Sequence, residues 1–218
     1  MPESIDVRVQ SAIERLRAWC EKSGASAVVN AMQPPASDQQ LDDLELKLNV
    51  KMSRDLRALY KIANGQSQAH GADPSLAADN EVGMFPSVES FDQAFLLAST
   101  EKLKTDELQD IFDPGYVWED SWIPFGINNV GDALVCDLAE GSPMAGRVLQ
   151  FNHELAAVYQ RADSVMILLE QIADAAESGE LLYDADHGLI PAEEFALDFN
   201  TLHENEQLEF HNPLDFDD

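Results

Sequence analysis

The sequence predicts an α+β fold, in which an antiparallel sheet of about four to six strands carries helices mainly on one side. In the first third of the chain, apolar residues recur at three- and four-residue steps, the period of an amphipathic helix. The middle holds short apolar runs bounded by turn residues, which are typical of strands. A helical pattern returns between Asp163 and Gly179. This order of helices, then strands, then a helix favours the α+β class.

The first predicted helix carries a single apolar stripe, made of Ile5, Val9, Ile13, Leu16 and Trp19. Gly24 is expected to end this helix, because glycine readily takes the left-handed conformation found at helix ends. Residues 30–37 contain two consecutive prolines and are interpreted as a linker.

Two shorter helices are predicted after the linker. Ser37 and Gln40 have the spacing of a capping box, in which each residue satisfies a backbone N–H group of the other. The helix that follows has one apolar face, made of Leu41, Leu44 and Leu48. Ser53 is predicted to cap the next helix, whose inner face holds Leu56, Leu59, Tyr60 and Ala63. The Asn-Gly pair at 64–65 is expected to end it.

The stretch 118–135 (WEDSWIPFGINNVGDALV) predicts the central hairpin of the sheet. Its first strand contains Trp122, Ile123 and Phe125, and Pro124 places that strand at an edge or at a strand start. Residues 128–132 form a turn cluster, and the apolar run 133–136 gives the second strand. The large aromatic residues of this hairpin either pack in the core or form a binding surface.

Elements on both sides of this hairpin complete the prediction. Before it, residues 66–79 indicate a surface loop, residues 82–85 a strand, and residues from Ser87 and over 105–112 two helices. After it, residues 147–151 and 156–159 are two further strands. A closing helix is capped by Asp163 or Ser164 and ends at Gly179.

The formal net charge is −28, with 41 Asp or Glu against 13 Lys or Arg in 218 residues. This balance argues against nucleic-acid binding, because phosphates repel carboxylates. It suits a basic partner, whose approach would be accelerated by the field. The alternative is that the acidity serves solubility. The hydrophobic content of 45% is that of a globular protein.

The protein is expected to be soluble and to lie in the cytoplasm. Its start, MPESIDVRVQ, is polar with helical spacing and does not resemble a secretory signal. No run approaches the ~18 apolar residues of a membrane helix. The two cysteines, Cys20 and Cys136, lack metal-type spacing and are interpreted as buried thiols in a reducing compartment.

The search for catalytic motifs predicts that the chain is not an enzyme and binds no cofactor or metal. It has no nucleophile elbow, no phosphate-binding glycine loop and no HExxH pattern. His153-Glu154 is interpreted as a turn between strands. Residues 184–188 (DADHG) faintly resemble the start of a calcium loop, but the glycine comes fifth rather than sixth and the twelfth residue is Phe195.

The C-terminal section is strongly acidic. No Lys or Arg follows Arg161, and sixteen Asp or Glu lie between Asp163 and Asp218. Aromatic and leucine residues are spread among them, which favours docking over a purely solvating tail. We therefore expect one domain over 1–183, including the N-terminal helix, and an acidic extension over 184–218. Residues 191–212 of the extension are predicted to be ordered against the domain.

Three segments together resemble the SUKH superfamily, which includes the yeast SMI/KNR-type cell-wall-synthesis regulators and many bacterial toxin-immunity proteins. These segments are 39–66 (QQLDDLELKLNVKMSRDLRALYKIANGQ), 121–138 (SWIPFGINNVGDALVCDL) and 146–154 (GRVLQFNHE). The likeness covers roughly residues 34–180. Two departures are the absence of a proline at Met52-Ser53 and the sequence Asn-Val-Gly-Asp at 129–132, where the family usually has Gly-Gly-Asp.

With the net charge, this resemblance implies an immunity protein that neutralises a basic, nuclease-type toxin or secreted effector. The alternative is a regulatory or scaffold protein of the cell-wall-synthesis type. Exposed loops with acidic and aromatic residues are the predicted contact sites. These residues are Asp73, Asp79, Glu81, Trp118, Glu119 and Asp120. Trp118 could instead lie in the core, and the acids could form a plain solvated face.

Overall fold

The computed structural model describes residues 3–66, 121–127, 133–152, 157–184 and 188–191. The elements predicted between residues 67 and 120, and the docking of residues 192–212, lie outside these ranges. The described helices are α1 (Ile5–Ser23), α2 (Ser26–Asn30), α3 (Asp38–Leu48), α4 (Arg54–Tyr60) and α5 (Val165–Ser178). The strands are β1 (Trp122–Ile127), β2 (Ala133–Asp137), β3 (Val148–Asn152), β4 (Ala157–Ala162), β5 (Leu181–Asp184) and β6 (Gly188–Pro191).

The helix ends follow the capping residues of the sequence. Gly24 closes α1 with a φ of 86°, a left-handed conformation that costs glycine little. The capping box of Ser37 and Gln40 is present at the start of α3, and Asn49 ends that helix with a φ of 53°. Ser53 caps α4 by accepting a hydrogen bond from the Leu56 N–H group. The predicted roles of Gly24, Ser37 with Gln40, and Ser53 are confirmed.

The predicted end of α4 at residues 64–65 was wrong, because the helix stops at Tyr60. Two hydrogen bonds to the proline segment explain the early stop. The Tyr60 carbonyl accepts from the Ala36 N–H group at 2.9 Å, and the Asn64 N–H group donates to the Pro34 carbonyl at 3.2 Å. A helical bond between Asn64 and Tyr60 is therefore replaced by contacts that hold the linker against α4.

The four strands β1 to β4 form an antiparallel sheet in sequential order, as the α+β prediction requires. Alternate side chains point to opposite faces. One face packs on helices in a core that includes Val9, Leu41, Leu56, Ile123, Cys136, Val148 and Leu169. The other face carries a second buried cluster, made of Trp122, Ala133, Val135, Leu149 and Phe151. Both faces of the sheet are therefore apolar and buried.

The β1–β2 pairing contains an irregularity between Pro124 and Gly126, where Phe125 is the extra residue. Phe125 lies in the helix-side core, as does Ile123 two residues before it, and the bulge brings Gly126 opposite Leu134. A Cβ atom added at Gly126 would lie 3.2 Å from the Leu134 Cβ atom. Glycine at this position therefore permits the close approach of the two strands.

Ion pairs connect α1 to α5 along their shared seam. Arg8 donates to both carboxylate oxygens of Glu170, at 2.8 and 2.5 Å. Arg15 bonds Glu177 and Asp174, with shortest distances of 2.6 Å to each. The carboxylates of Glu170, Asp174 and Glu177 thus receive guanidinium partners from the N-terminal helix, which joins the two ends of the domain.

A two-stranded antiparallel sheet, β5–β6, follows α5 directly. The sequence did not predict these strands. The two paired strands lie on both sides of residue 184, at which the sequence predicts that the acidic extension begins. Leu181 of β5 is buried, whereas Leu182 is exposed. Ordered backbone thus continues at least to Pro191.

Both cysteines are buried free thiols. Burial raises the pKa of the Cys136 thiol to about 12 and also raises the pKa of Cys20. Because the thiolate is the nucleophilic form, a raised pKa lowers reactivity at neutral pH. We expect neither thiol to react with iodoacetamide at pH 7.5 in the native protein, whereas both should react in urea. Rapid native labelling, followed by mass spectrometry, would contradict this assignment.

Candidate functional site

The six residues predicted to contact a partner lie outside the described residues, so their arrangement stays a prediction. They are Asp73, Asp79, Glu81, Trp118, Glu119 and Asp120. The described chain resumes at Ser121, the residue directly after Asp120. Ser121 lies beside a cavity at the end of the sheet. The geometry of this cavity can therefore be described from Ser121 onward.

Charge is distributed unevenly along the sequence. Residues 1–66 contain nine Lys or Arg and nine Asp or Glu, so their formal charges cancel. Residues 67–218 hold the other four basic and 32 acidic residues, which accounts for the whole net charge of −28. The charge available to attract a basic partner therefore comes from the part of the chain that follows the N-terminal helices.

Within the N-terminal helices, opposite charges are largely paired with one another. Arg57 of α4 contacts the carboxylates of Asp38, Asp42 and Glu45, at 3.3, 2.7 and 3.4 Å. Lys61 bonds Asp38 as well, at 2.9 Å. The ammonium group of Lys61, together with the Arg57 guanidinium, holds the pKa of Asp38 below its usual value. These pairs offset most of the negative charge on the surface between α3 and α4.

The cavity, of about 150 Å³, lies at the end of β1 and β2 on the face of the second buried cluster. It is lined by Ser121, Trp122, Asp137, Ala139, Ser142, Met144 and Leu149. Trp122 and Asp137 are paired in the register of the two strands and form its floor together with Leu149. These three residues are buried, whereas the other four are half-buried. The cavity therefore has a buried floor and a partly exposed rim.

Asp137 is the charged group of this cavity and is only 4% exposed. Its Oδ1 atom accepts hydrogen bonds from the Ala139 N–H group at 2.9 Å and from the Ser121 hydroxyl at 3.3 Å. Its Oδ2 atom accepts one from the Ser142 hydroxyl at 3.3 Å. All three donors belong to residues that line the cavity. The carboxylate is therefore held in place by the rim.

The loop from 138 to 146 folds back over the strand ends because its sequence is rich in turn residues. Gly141 and Gly146 have φ angles of 81° and 84°, which favour glycine. The Gly146 N–H group donates to the Asp137 carbonyl at 2.6 Å, and the Ser142 hydroxyl accepts from the Met144 N–H group at 3.0 Å. The loop thereby places Ser142 and Met144 beside Asp137.

The described basic residue nearest to Asp137 in sequence directs its side chain to other partners. Arg147 follows the loop, and its backbone carbonyl accepts from the Asp137 N–H group at 3.0 Å. Its guanidinium donates instead to the Gln160 side chain at 2.8 Å and contacts the Met144 sulfur. In the described ranges, Asp137 consequently takes part in no ion pair. The cavity presents a buried carboxylate that is hydrogen-bonded and that no basic side chain of the described residues contacts.

This arrangement can accept hydrogen bonds and neutralise a cation. The described residues contain no group of three His, Cys, Asp or Glu side chains placed to hold a metal ion. Cys136 precedes Asp137 but points to the helix-side core, where Ser53 contacts its sulfur at 3.8 Å. Among the described residues, the cavity therefore offers one carboxylate and two hydroxyl groups, which can recognise a positive charge.

Sequence reasoning did not single out Asp137. In a chain with 41 acidic residues, one aspartate after an apolar strand has nothing to distinguish it. Asp137 directly follows the apolar run 133–136 and precedes a loop that contains Gly-Ser-Pro at 141–143. These two neighbours predict that its carboxylate lies at the end of a buried strand. The pairing with Trp122 could have been found from the register of the predicted hairpin.

In the part of the chain that the structure describes, no helix is long and apolar enough to cross a bilayer.

The sequence matches the model of a known protein family, and the match includes the main sheet described above. The model of the SMI1 / KNR4 family (SUKH-1) matches residues 35–171, which is more than half of the chain. No curated protein matches the sequence. The matched range begins just before α3, includes α4 and all four strands of the main sheet, and ends within α5. The chain belongs to the SMI1 / KNR4 family (SUKH-1).

Proposed function

We propose that this protein is a cytoplasmic immunity protein that binds and neutralises a basic, nuclease-type toxin or secreted effector. The observation that carries the proposal is the charge distribution in a domain of this family. The N-terminal helices are formally neutral, and residues 67–218 supply the entire net charge of −28. An immunity protein needs such an excess of negative charge if its partner is strongly basic.

A nuclease must present positive charge in order to hold the phosphates of its substrate. An acidic protein can cover that surface and exclude the nucleic acid by occupying the same groups. Its field also raises the association rate, because opposite charges steer diffusional encounter. In this proposal the chain itself catalyses no reaction. It acts by binding, and it meets its toxin in the compartment where its two free thiols stay reduced.

The proposal is tested with the toxin or secreted effector encoded beside the gene, expressed in a host with and without this chain. We expect co-expression to restore growth, and the purified chain to inhibit nuclease activity with one-to-one stoichiometry. An inactive-toxin variant provides the growth control. Loss of growth with both proteins present, and no complex in solution, would defeat the immunity proposal. It would favour the regulatory or scaffold role of the cell-wall-synthesis type.

The affinity for a basic toxin should fall as salt is added, because exposed charge contacts are screened over a Debye length of about 8 Å at 0.15 M ionic strength. We expect the association rate to change more than the dissociation rate, since steering acts on encounter. Surface plasmon resonance between 50 and 500 mM KCl measures both. A rate constant for association that does not change with salt would contradict a steered, charge-based interface.

A further inference from the structure

We propose that the cavity at the end of β1 and β2 receives a lysine side chain of a protein partner, with its ammonium group on the Asp137 carboxylate. The inference rests on the proposed function only for the basic character of that partner. The cavity itself has three features that suit a lysine: a buried carboxylate, an acceptor position that no described donor occupies, and apolar walls.

A buried carboxylate without a cation is an unusual feature, because burying a charge is costly unless it is paired. Asp137 is 4% exposed, and its three described hydrogen-bond donors are neutral groups. The guanidinium of Arg147, whose backbone carbonyl bonds the Asp137 N–H group, donates to Gln160 instead. The cavity therefore keeps a negative charge at its floor and leaves room beside it for a cation. A cationic side chain would supply the missing charge.

The acceptor geometry favours lysine over arginine. A carboxylate offers about four acceptor positions, two on each oxygen. Among the described residues, Oδ1 accepts from Ser121 and Ala139, whereas Oδ2 accepts only from Ser142. The one position left lies on Oδ2, so a bidentate guanidinium would have to displace an existing donor. A compact ammonium needs only one acceptor here and can turn its other N–H groups toward water or the serine hydroxyls.

The walls fit the stem of the same side chain. Trp122, Met144 and Leu149 line the cavity with apolar surface, and the four methylene groups of lysine pack well along such surface. The volume of about 150 Å³ is larger than the space of a single water molecule. The rim residues Ser121, Ala139, Ser142 and Met144 are half-buried, so the cavity can be reached from solvent.

The test is a titration of the ¹⁵N-labelled full-length protein with Nα-acetyl-lysine amide, followed by the amide resonances of Ala139 and Ser142. We expect saturable shifts of both resonances. The matching norleucine derivative, which keeps the stem and lacks the ammonium, should produce none. The arginine derivative should bind more weakly than the lysine derivative. Equal or tighter binding of arginine would overturn the choice of lysine.

Asp137→Asn removes the charge while an amide oxygen and an amide group can still bond the rim. We expect it to weaken probe binding by about tenfold or more, the range for a hydrogen bond to a charged group. Glu140→Gln is the matched control, because it removes one exposed charge from the same loop. It should change the affinity by less than about twofold. Equal losses in the two variants would reduce the effect to general attraction and overturn the site.

Ala139→Leu provides a second route if Asp137→Asn fails to fold. It fills the cavity and leaves the backbone N–H group that bonds Asp137, so it should abolish probe binding while the carboxylate remains. Unchanged binding by this variant would also overturn the proposal. No toxin is needed for these titrations. Absence of probe binding with intact toxin inhibition defeats the cavity assignment alone, and probe binding without inhibition defeats the immunity proposal alone.

Discussion

Replacing Trp122 with alanine is expected to lower the free energy of unfolding by about 3–5 kcal/mol, the usual loss for a buried tryptophan. Trp122 is 2% exposed and packs in the second buried cluster with Val135, Leu149 and Phe151. Removal of the indole would leave a void in that cluster and enlarge the cavity beside Asp137. Urea unfolding followed by far-UV circular dichroism measures the loss.

The control for this prediction is Leu46→Ala. Leu46 is a large apolar residue of α3, but it is 82% exposed, so its truncation should change the stability by no more than about 0.5 kcal/mol. A Trp122→Ala protein whose unfolding midpoint equals that of Leu46→Ala would show that the second cluster contributes little. The outer face of the sheet would then be unimportant for stability.

Local patterns were enough to predict much of the fold. The capping box at Ser37 and the left-handed residue Gly24 each depend on neighbours within four positions, so local sequence was enough to predict them. The cap of α5 was narrowed to Asp163 or Ser164, and it is Ser164. The hairpin of β1 and β2 was predicted for a similar reason, since alternation and a turn cluster specify both strands. The membership of the family, stated from three segments, is confirmed by the match over residues 35–171.

Contacts between distant parts of the chain were not predictable in the same way. The end of α4 depends on the Pro34 carbonyl and the Ala36 N–H group, which lie more than twenty residues away. The hydrogen bonds of Asp137 join a strand end to its loop and to Ser121. Such bonds depend on the register of the sheet, which sequence patterning gives only approximately. The candidate site was therefore missed, although its strand was found.

Replacing Asp55 with alanine is expected to lower the free energy of unfolding by about 2–4 kcal/mol, because two hydrogen bonds to a buried charged group are lost. Asp55 is 6% exposed. Its Oδ1 atom accepts from the Leu56 N–H group in α4, and its Oδ2 atom from the Met166 N–H group in α5, both at 3.0 Å. One carboxylate thus lies at the N-terminal ends of two helices, where negative charge is favourable.

Ser164→Ala separates this long-range contact from ordinary capping. Ser164 accepts a hydrogen bond from the Ile167 N–H group at the same end of α5, at 3.2 Å. Loss of such a cap costs about 1 kcal/mol. Urea unfolding of both variants should therefore rank Asp55→Ala as the more destabilised protein. The reverse order would mean that the link from α4 adds nothing beyond the cap, and that α5 is held mainly by its apolar face and by the ion pairs of Arg8 and Arg15 with its acidic residues.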